Sequence, residues 1–139
     1  MMVHSTRHQV ATQGQGDTHD ITAVAASALK ESGCVSGIAT IFVVGSTAAI
    51  TAIEFESGAL ADFNALLEEL APRAADYRHH ARWGDDNGSS HVRAGLLGPS
   101  LTVPIIDGQL VLGTWQQIML IELDTRGRTR EVVVQIVGE

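Results

Sequence analysis

Residues 101–108, Leu-Thr-Val-Pro-Ile-Ile-Asp-Gly, carry the clearest fold signal in the chain. The apolar run predicts a strand over 101–106, and the Asp-Gly pair that follows is typical of a tight hairpin turn. Two more β-type runs lie at 110–113 and 116–124, as one bent strand or two, and a turn over 125–127 leads to an alternating strand over 129–137. The last third of the chain is therefore predicted to be an antiparallel meander.

Upstream of this meander, helical and strand patterns alternate. The predicted elements are a strand over 6–12, a helix capped by Asp17 or Asp20 and ended by Gly33, strands over 35–44 and 47–55, a helix capped by Ser57, an irregular polar segment over 72–90, and a short helix from Ser89 or Ser90 to Leu97. This order predicts an α+β fold, in which a single domain over 1–139 has a packed, largely antiparallel β-sheet and two to three helices.

The composition is that of a globular chain and argues against several classes of function. Of the 139 residues, 45% are hydrophobic and 18% are charged, so a core can form without a disulfide, for which Cys34 has no partner. The net charge of −7 disfavours a nucleic-acid partner. Because we find neither a run of about 18 apolar residues nor an apolar signal segment, we expect a cytoplasmic protein without a membrane partner.

The segment over 77–91 concentrates polar chemistry. His79 and His91 are twelve residues apart and bracket Asp86 and Asn87. Imidazole and carboxylate groups are common ligands of divalent ions, and a long polar loop in a compact domain is often functional. No HExxH motif or CxxC pair accompanies them. A metal-binding pocket and a solvated surface loop therefore both remain open at this point.

Further candidates lie outside that segment, and each also has a structural interpretation. Glu54 faces either a pocket or the solvent at the end of a strand. The turn at Ser46 and Thr47 offers hydroxyls and backbone N–H groups to an anion, or simply packs. Trp115 and Gln116 form a pocket wall, or Trp115 fills a core or an interface.

Three arginines alternate near the C-terminus, at positions 126, 128 and 130. Arginines can hold a phosphate through forked hydrogen bonds. Charges on an edge strand instead prevent sheet-to-sheet aggregation. We favour the edge-strand interpretation.

Taken together, these residues fall within motifs that resemble one family. The motifs are Gly-Ser-Thr-Ala-Ala-Ile over 45–50, Glu54, Tyr77-x-His79, Asp86-Asn87-x-x-x-His91, Leu-Gly-x-Ser-Leu-x-Val-Pro over 97–104, Gly108, Gly-Thr-Trp-Gln over 113–116 and Val-Gly-Glu over 137–139. They cover nearly the whole chain, which resembles the YjbQ family, often labelled secondary thiamine-phosphate synthase enzymes. The Gly-Ser-Thr-Ala-Ala-Ile form looks like one branch of that family.

The resemblance implies an α+β fold assembled as a homotrimer, with a polar, metal-binding pocket near the subunit boundaries. It also implies a weak thiamine-phosphate synthase activity, which joins a pyrimidine diphosphate to a thiazole phosphate. The roles that it assigns are catalysis for Glu54 and Asp86, binding of a divalent ion (zinc or magnesium) for His79 and His91, and substrate binding for Ser46, Thr47, Asn87, Trp115 and Gln116.

The chain departs from many members of this family at Gly45, where they carry a histidine, and at Ile53 and Phe55, where they carry asparagines. A metal site here would lack one possible imidazole ligand. Two hypotheses follow. The first is an enzyme with a divalent ion at His79 and His91. The alternative is a non-catalytic homotrimer that binds, or regulates in response to, a small phosphorylated metabolite.

Overall fold

The chain folds into two antiparallel β-sheets and four helices. The structure is a computed structural model that describes residues 1–139. The elements are β1 (Met2–Ala11), β2 (Thr18–Asp20), α1 (Thr22–Ser32), β3 (Gly37–Val44), β4 (Ala48–Ile53), α2 (Ser57–Leu70), α3 (Arg78–Trp83), α4 (Gly88–Leu97), β5 (Ser100–Ile106), β6 (Gln109–Leu110), β7 (Gln117–Glu122) and β8 (Thr129–Gly138).

Strand order in the sheets is β1-β8-β3-β5-β6 and β2-β7-β4, and every pairing is antiparallel. The predicted α+β class is confirmed. The stretch over 110–124 is divided between two strands of different sheets, β6 and β7, rather than forming one bent strand. No helix is both long and apolar enough to cross a bilayer.

The main core lies between the two sheets and beneath α1. Alternate residues of β3 and β8 face inward, as the two-residue period of a strand requires. The inward side chains include Ala39, Ile41 and Val43 from β3 and Val132, Val134 and Ile136 from β8. They pack with Ile118 and Leu120 of β7 and with Ala25, Ala28 and Leu29 of α1.

A second core lies on the other face of β7. Met119 and Ile121 pack there with Ala49 of β4, Leu67 of α2 and Ala94 of α4. All residues from Ile118 to Glu122 are therefore buried, although β7 is only six residues long. The fold is thus layered as sheet, sheet and helices, with β7 in the middle layer.

Three details of the helices differ from the sequence-based predictions. A fourth helix, α3, lies inside the segment predicted to be irregular; its six residues, four of them polar, are too few to show an apolar period. Glu56, rather than Ser57, caps α2 by accepting hydrogen bonds from the N–H groups of Gly58 and Ala59. Helix α4 begins at Gly88, before either predicted serine cap.

The edge-strand interpretation of the arginines is wrong at Arg130. Strand β8 lies between β1 and β3, so it is not an edge. Arg130 faces the interior and is paired there with Glu122 of β7. Alternation alone does not show that a charged side chain has a buried partner on another sheet.

Candidate functional site

Helices α3 and α4 bring together the two histidines that the sequence singles out. The imidazole rings of His79 and His91 have centroids 4.4 Å apart and planes inclined by 36°. Helix α3 ends at Gly84 in the left-handed conformation, which reverses the chain so that α4 returns beside it. A separation of twelve residues thus becomes a ring-to-ring contact.

The junction between these helices depends on Gly88. A Cβ atom at this position would lie 2.5 Å from Cβ of Tyr77 and 2.9 Å from Nε2 of His80. The Gly88 N–H donates to Nε2 of His80 at 3.0 Å, and the Tyr77 hydroxyl donates to the Pro72 carbonyl at 2.6 Å. His80 and Tyr77 therefore hold the start of α4 and have a structural role.

Asp85 orients the first histidine of the pair. Its Oδ1 lies 2.9 Å from Nδ1 of His79. A carboxylate at Nδ1 favours the tautomer with the proton on that nitrogen, which leaves Nε2 as an acceptor or metal ligand. Asp85, which was not among the predicted site residues, therefore makes the carboxylate contact to this histidine. Asp86 is exposed and makes no side-chain hydrogen bond.

A buried carboxylate, Asp124, lies on the other side of the amide of Asn87. One end of this amide is 3.2 Å from both carboxylate oxygens of Asp85, and the other is 3.4 Å from Oδ1 of Asp124. The amide nitrogen can therefore donate to either carboxylate. Asn87 links the loop before α4 to the end of β7.

Hydrogen bonding keeps Asp124 ionised. Burial raises the pKa of this carboxyl group, but hydrogen bonds from the Thr125 N–H, the Thr47 hydroxyl and Arg128 outweigh that effect and lower it to about 2. Thr47 donates to Oδ2 at 2.9 Å, and Arg128 donates to the same atom through Nε and Nη2. The site therefore contains a fixed negative charge.

The buried ion pair between Arg130 and Glu122 positions the Asp124 carboxylate indirectly, through Thr47. Nη2 of Arg130 donates to the Thr47 hydroxyl at 2.7 Å and to the Thr47 carbonyl at 3.1 Å. Burial raises the pKa of Glu122, but its hydrogen bonds with Arg130 and Thr12 produce a net lowering. An ionised pair thus fixes Thr47, which in turn fixes Asp124.

The same arginine explains the small residue at position 45. A Cβ atom on Gly45 would lie 2.7 Å from Nη1 of Arg130. The guanidinium occupies the space in which a larger side chain would begin, so an imidazole at 45 and this arginine position exclude each other.

The environment of His91 favours its neutral form. Burial lowers the pKa of this imidazole, and the charge of His79 lowers it further, against smaller opposite effects of Asp124 and Asp85. A neutral imidazole can bind a metal ion or accept a proton at neutral pH.

A small cavity of about 320 Å³ opens beside His91. Its walls are formed by Gly45, Ser46, Ala48, His91, Ala94, Gly95 and Pro99. Ser46 therefore lines the same cavity as His91, and Thr47 is held by its hydrogen bond to Asp124.

The remaining predicted residues lie near the other end of β4, where Ile53 pairs with Gln117. Glu54 follows the last residue of this strand, and the neighbouring Phe55 N–H donates to the side chain of Gln117 at 2.8 Å. Gln116 accepts from the Gly113 N–H, and Trp115 is 73% exposed. Seven residues separate Thr47 from Glu54, or about 20 Å of strand. One chain does not bring Glu54, Trp115 and Gln116 to the histidines.

No group of three or more His, Cys, Asp and Glu side chains is arranged to hold a metal ion. His79 and His91 supply two imidazoles, and the contact of Asp85 is with the ring of His79. A single chain therefore offers an incomplete set of ligands.

Asp124 and the role of Arg130 were not predicted from the sequence. Asp124 lies just after the end of β7, and a carboxylate in that position is only a weak sequence indication of a functional site. Its position opposite Asn87, 37 residues away, depends on how β7 packs against α4.

The fold and site define a class of small α+β proteins with two antiparallel sheets and a histidine–carboxylate pocket at the start of a helix. Residues 6–139 match the family described as UPF0047 protein YjbQ-like. The chain belongs to this YjbQ family, as its motifs predicted.

Two relatives illustrate the similarity in sequence. A UPF0047 protein of Methanothermobacter thermautotrophicus is 40% identical over 139 residues, which are all of this chain and 95% of the relative. UPF0047 protein MJ1081 of Methanocaldococcus jannaschii is 35% identical over 134 residues, which are 96% of this chain and 94% of the relative.

Solved structures share the fold. A crystal structure of a YbjQ-like protein of unknown function from Sulfolobus solfataricus P2 superposes with a TM-score of 0.88 at 34% identity, covering 99% of this chain and 100% of that one. A YjbQ/UPF0047 protein from Clostridium acetobutylicum gives 0.84 at 32% identity, over 95% and 99% of the two chains.

Proposed function

We propose that this protein is a transferase of the thiamine-phosphate synthase type, which joins a pyrimidine diphosphate to a thiazole phosphate. The observation that carries the proposal is the contact between His79 and His91, beside the ionised Asp124. The reaction releases diphosphate, so the site must stabilise a highly charged leaving group and manage a proton. A neutral His91 with an adjacent oriented imidazole suits the second task.

The proposed site is shared between copies in a homotrimer. The two predicted clusters lie at opposite ends of β4, and the exposed Trp115 marks the second one. An aromatic side chain with this exposure is typical of a surface that a partner covers. In the trimer, Glu54, Trp115 and Gln116 of one copy would approach the histidine pair of the next.

A divalent ion, zinc or magnesium, belongs to this proposal. His79 and His91 would be two of its ligands, and Glu54 of the adjacent copy would supply the carboxylate that one chain lacks. When bound, such an ion would neutralise charge on the diphosphate. Ser46, Thr47 and Asn87 would contact the substrate, and Asp86 would act as a second catalytic carboxylate on the exposed side of the loop.

Turnover with the two phosphorylated substrates tests the proposal. Metal-stripped protein should form no thiamine phosphate, and zinc or magnesium should restore product formation. Glu54→Gln should lower kcat by at least about tenfold, since it removes a catalytic charge while keeping the shape of the side chain. Glu69→Gln, an exposed carboxylate on α2, is the matched control and should retain full turnover.

Lack of product under all these conditions would exclude the synthase. Equal turnover of wild type and Glu54→Gln would exclude the shared site.

The second candidate is a non-catalytic trimer that captures a small phosphorylated metabolite. Position 45 favours it, because Gly45 supplies no imidazole ligand and a Cβ atom there would lie 2.7 Å from Nη1 of Arg130. Saturable binding of either substrate by calorimetry without any product would select this function over the enzyme.

A further inference from the structure

A second cavity lies beside Thr125, the residue that follows Asp124, and no apolar residue lines it. It measures about 460 Å³, and its walls are formed by Gln13, Gly14, Gln15, Asp17, Arg73 and Thr125. Ligand pockets are usually lined mostly by apolar side chains. A wholly polar lining suits a small charged group rather than an apolar one.

One donor in this lining is enclosed and unsatisfied. Nε2 of Gln15 is buried and has no hydrogen-bond partner. A buried amide nitrogen without an acceptor costs free energy, so such atoms are few in folded proteins. An oxyanion in the cavity would provide the missing acceptor.

The loop over 13–17 keeps two backbone donors free as well. The Gly16 N–H donates to the Glu122 carbonyl and the Asp17 N–H to the Gly14 carbonyl, whereas those of Gly14 and Gln15 donate to no acceptor of the chain. Gly14 and Gly16 have φ of 131° and 87°, which other residues rarely adopt. The loop is therefore held with these N–H groups unpaired, as in backbone sites for anions.

The charges around the cavity are compatible with an anion. Arg73 is half-exposed, and its Nε is 3.7 Å from Glu68, which leaves most of its guanidinium donors available. Asp17 is the acidic residue of the lining, and its Oδ2 already accepts from the Gln13 N–H and contacts Nε2 of His19, each at 2.9 Å.

We propose that the loop over 13–17 and Arg73 form a binding site for a phosphate-type oxyanion, separate from the histidine pair. Gln15 supplies its side-chain and backbone N–H groups, Gly14 supplies a backbone N–H, and Arg73 supplies the positive charge. The bound group is either inorganic phosphate or the phosphate of a monoester. The site does not depend on the synthase activity, since none of its residues belongs to the proposed reaction.

Titration with sodium phosphate at constant ionic strength tests this site in the full-length protein. The backbone N–H signals of Gly14 and Gln15 and the side-chain amide signals of Gln15 should shift saturably in two-dimensional ¹H–¹⁵N NMR spectra. Arg73→Ala and Gln15→Ala should each weaken binding by at least about tenfold, since each removes a donor to a charged acceptor. Arg7→Ala is the matched control, because Arg7 on β1 is an exposed arginine paired with Glu131 of β8.

Two results would overturn the proposal. One is the absence of saturable shifts in the loop with both inorganic phosphate and glycerol phosphate. The other is equal weakening by Arg7→Ala and Arg73→Ala, which would show non-specific attraction. Where binding is found, tighter binding of glycerol phosphate identifies a monoester as the natural ligand class, and tighter binding of inorganic phosphate identifies the free anion.

Discussion

At the scale of the residue, Asp124 determines the electrostatics of the site. It receives hydrogen bonds from Thr47, Arg128 and its neighbour Thr125, and it faces Asn87. These partners come from three different parts of the chain, and two of the three lie far from Asp124 in the sequence. A sequence pattern shows the carboxylate but not its donors, which explains why Asp124 was not predicted while His79 and His91 were.

Asp124 also predicts how stability depends on pH. Its pKa is about 2 in the folded state against an ordinary value of 3.8, so its ionisation stabilises the fold above pH 3.8, and this contribution is lost as the pH falls towards 2. The contribution is about 2 kcal/mol. Asp124→Asn cannot ionise and should flatten the fall in the free energy of unfolding between pH 4 and pH 2, measured by urea titration.

Glu122, whose pKa is also lowered, should leave a residual slope in that variant. Asp62→Asn on the exposed face of α2 serves as the control and should keep the wild-type slope. An unchanged slope in Asp124→Asn would contradict the assigned role of this carboxylate.

At the scale of the element, the α3–α4 junction creates the site and was the least predictable part of the fold. The periods of β3 and β8 and the stop at Gly33 are local features, and the corresponding predictions are confirmed. Helix α3 has no buried residue, so its sequence shows no apolar face. Its position depends on Tyr77 and His80 packing around Gly88, a contact that no local pattern encodes.

Gly88→Ala should therefore destabilise the junction. The added methyl group would overlap the Tyr77 ring, and overpacking of this kind typically costs about 1–3 kcal/mol. Gly95→Ala lies in the same helix, where an added Cβ meets no atom within 4 Å, and should be neutral or stabilising by up to about 1 kcal/mol. Urea unfolding curves measure both effects, and equal stability of the two variants would contradict the prediction.

At the scale of the whole molecule, the layered fold separates the predicted functional residues into two groups. The motifs predicted one pocket, and the structure places Glu54 and Trp115 at the far end of β4 from His91. The order of the motifs along the sequence does not show near which end of β4 each residue lies. The sequence therefore predicts candidate residues, but it does not predict that the fold places them in two separate groups.

The trimer is the corresponding prediction. Sedimentation velocity at micromolar concentration should give a species of three chains, and Trp115→Glu should shift it towards the monomer, because a charge would be buried without a partner. Circular dichroism of the variant should remain native, since Trp115 is exposed within one chain. A wild-type monomer at this concentration would contradict the shared site.

Strand β7, buried on both faces, connects the two groups: Gln117 begins it beside Phe55, and Asp124 lies just beyond its end. Such a strand is hard to stretch or bend, so it would keep the two halves of the proposed shared site at a fixed separation. Chains that join head to tail in an open pair would leave one half-site of each kind idle. In the proposed trimer, closing the ring would give every chain a complete site, so assembly and completion of the sites would occur together.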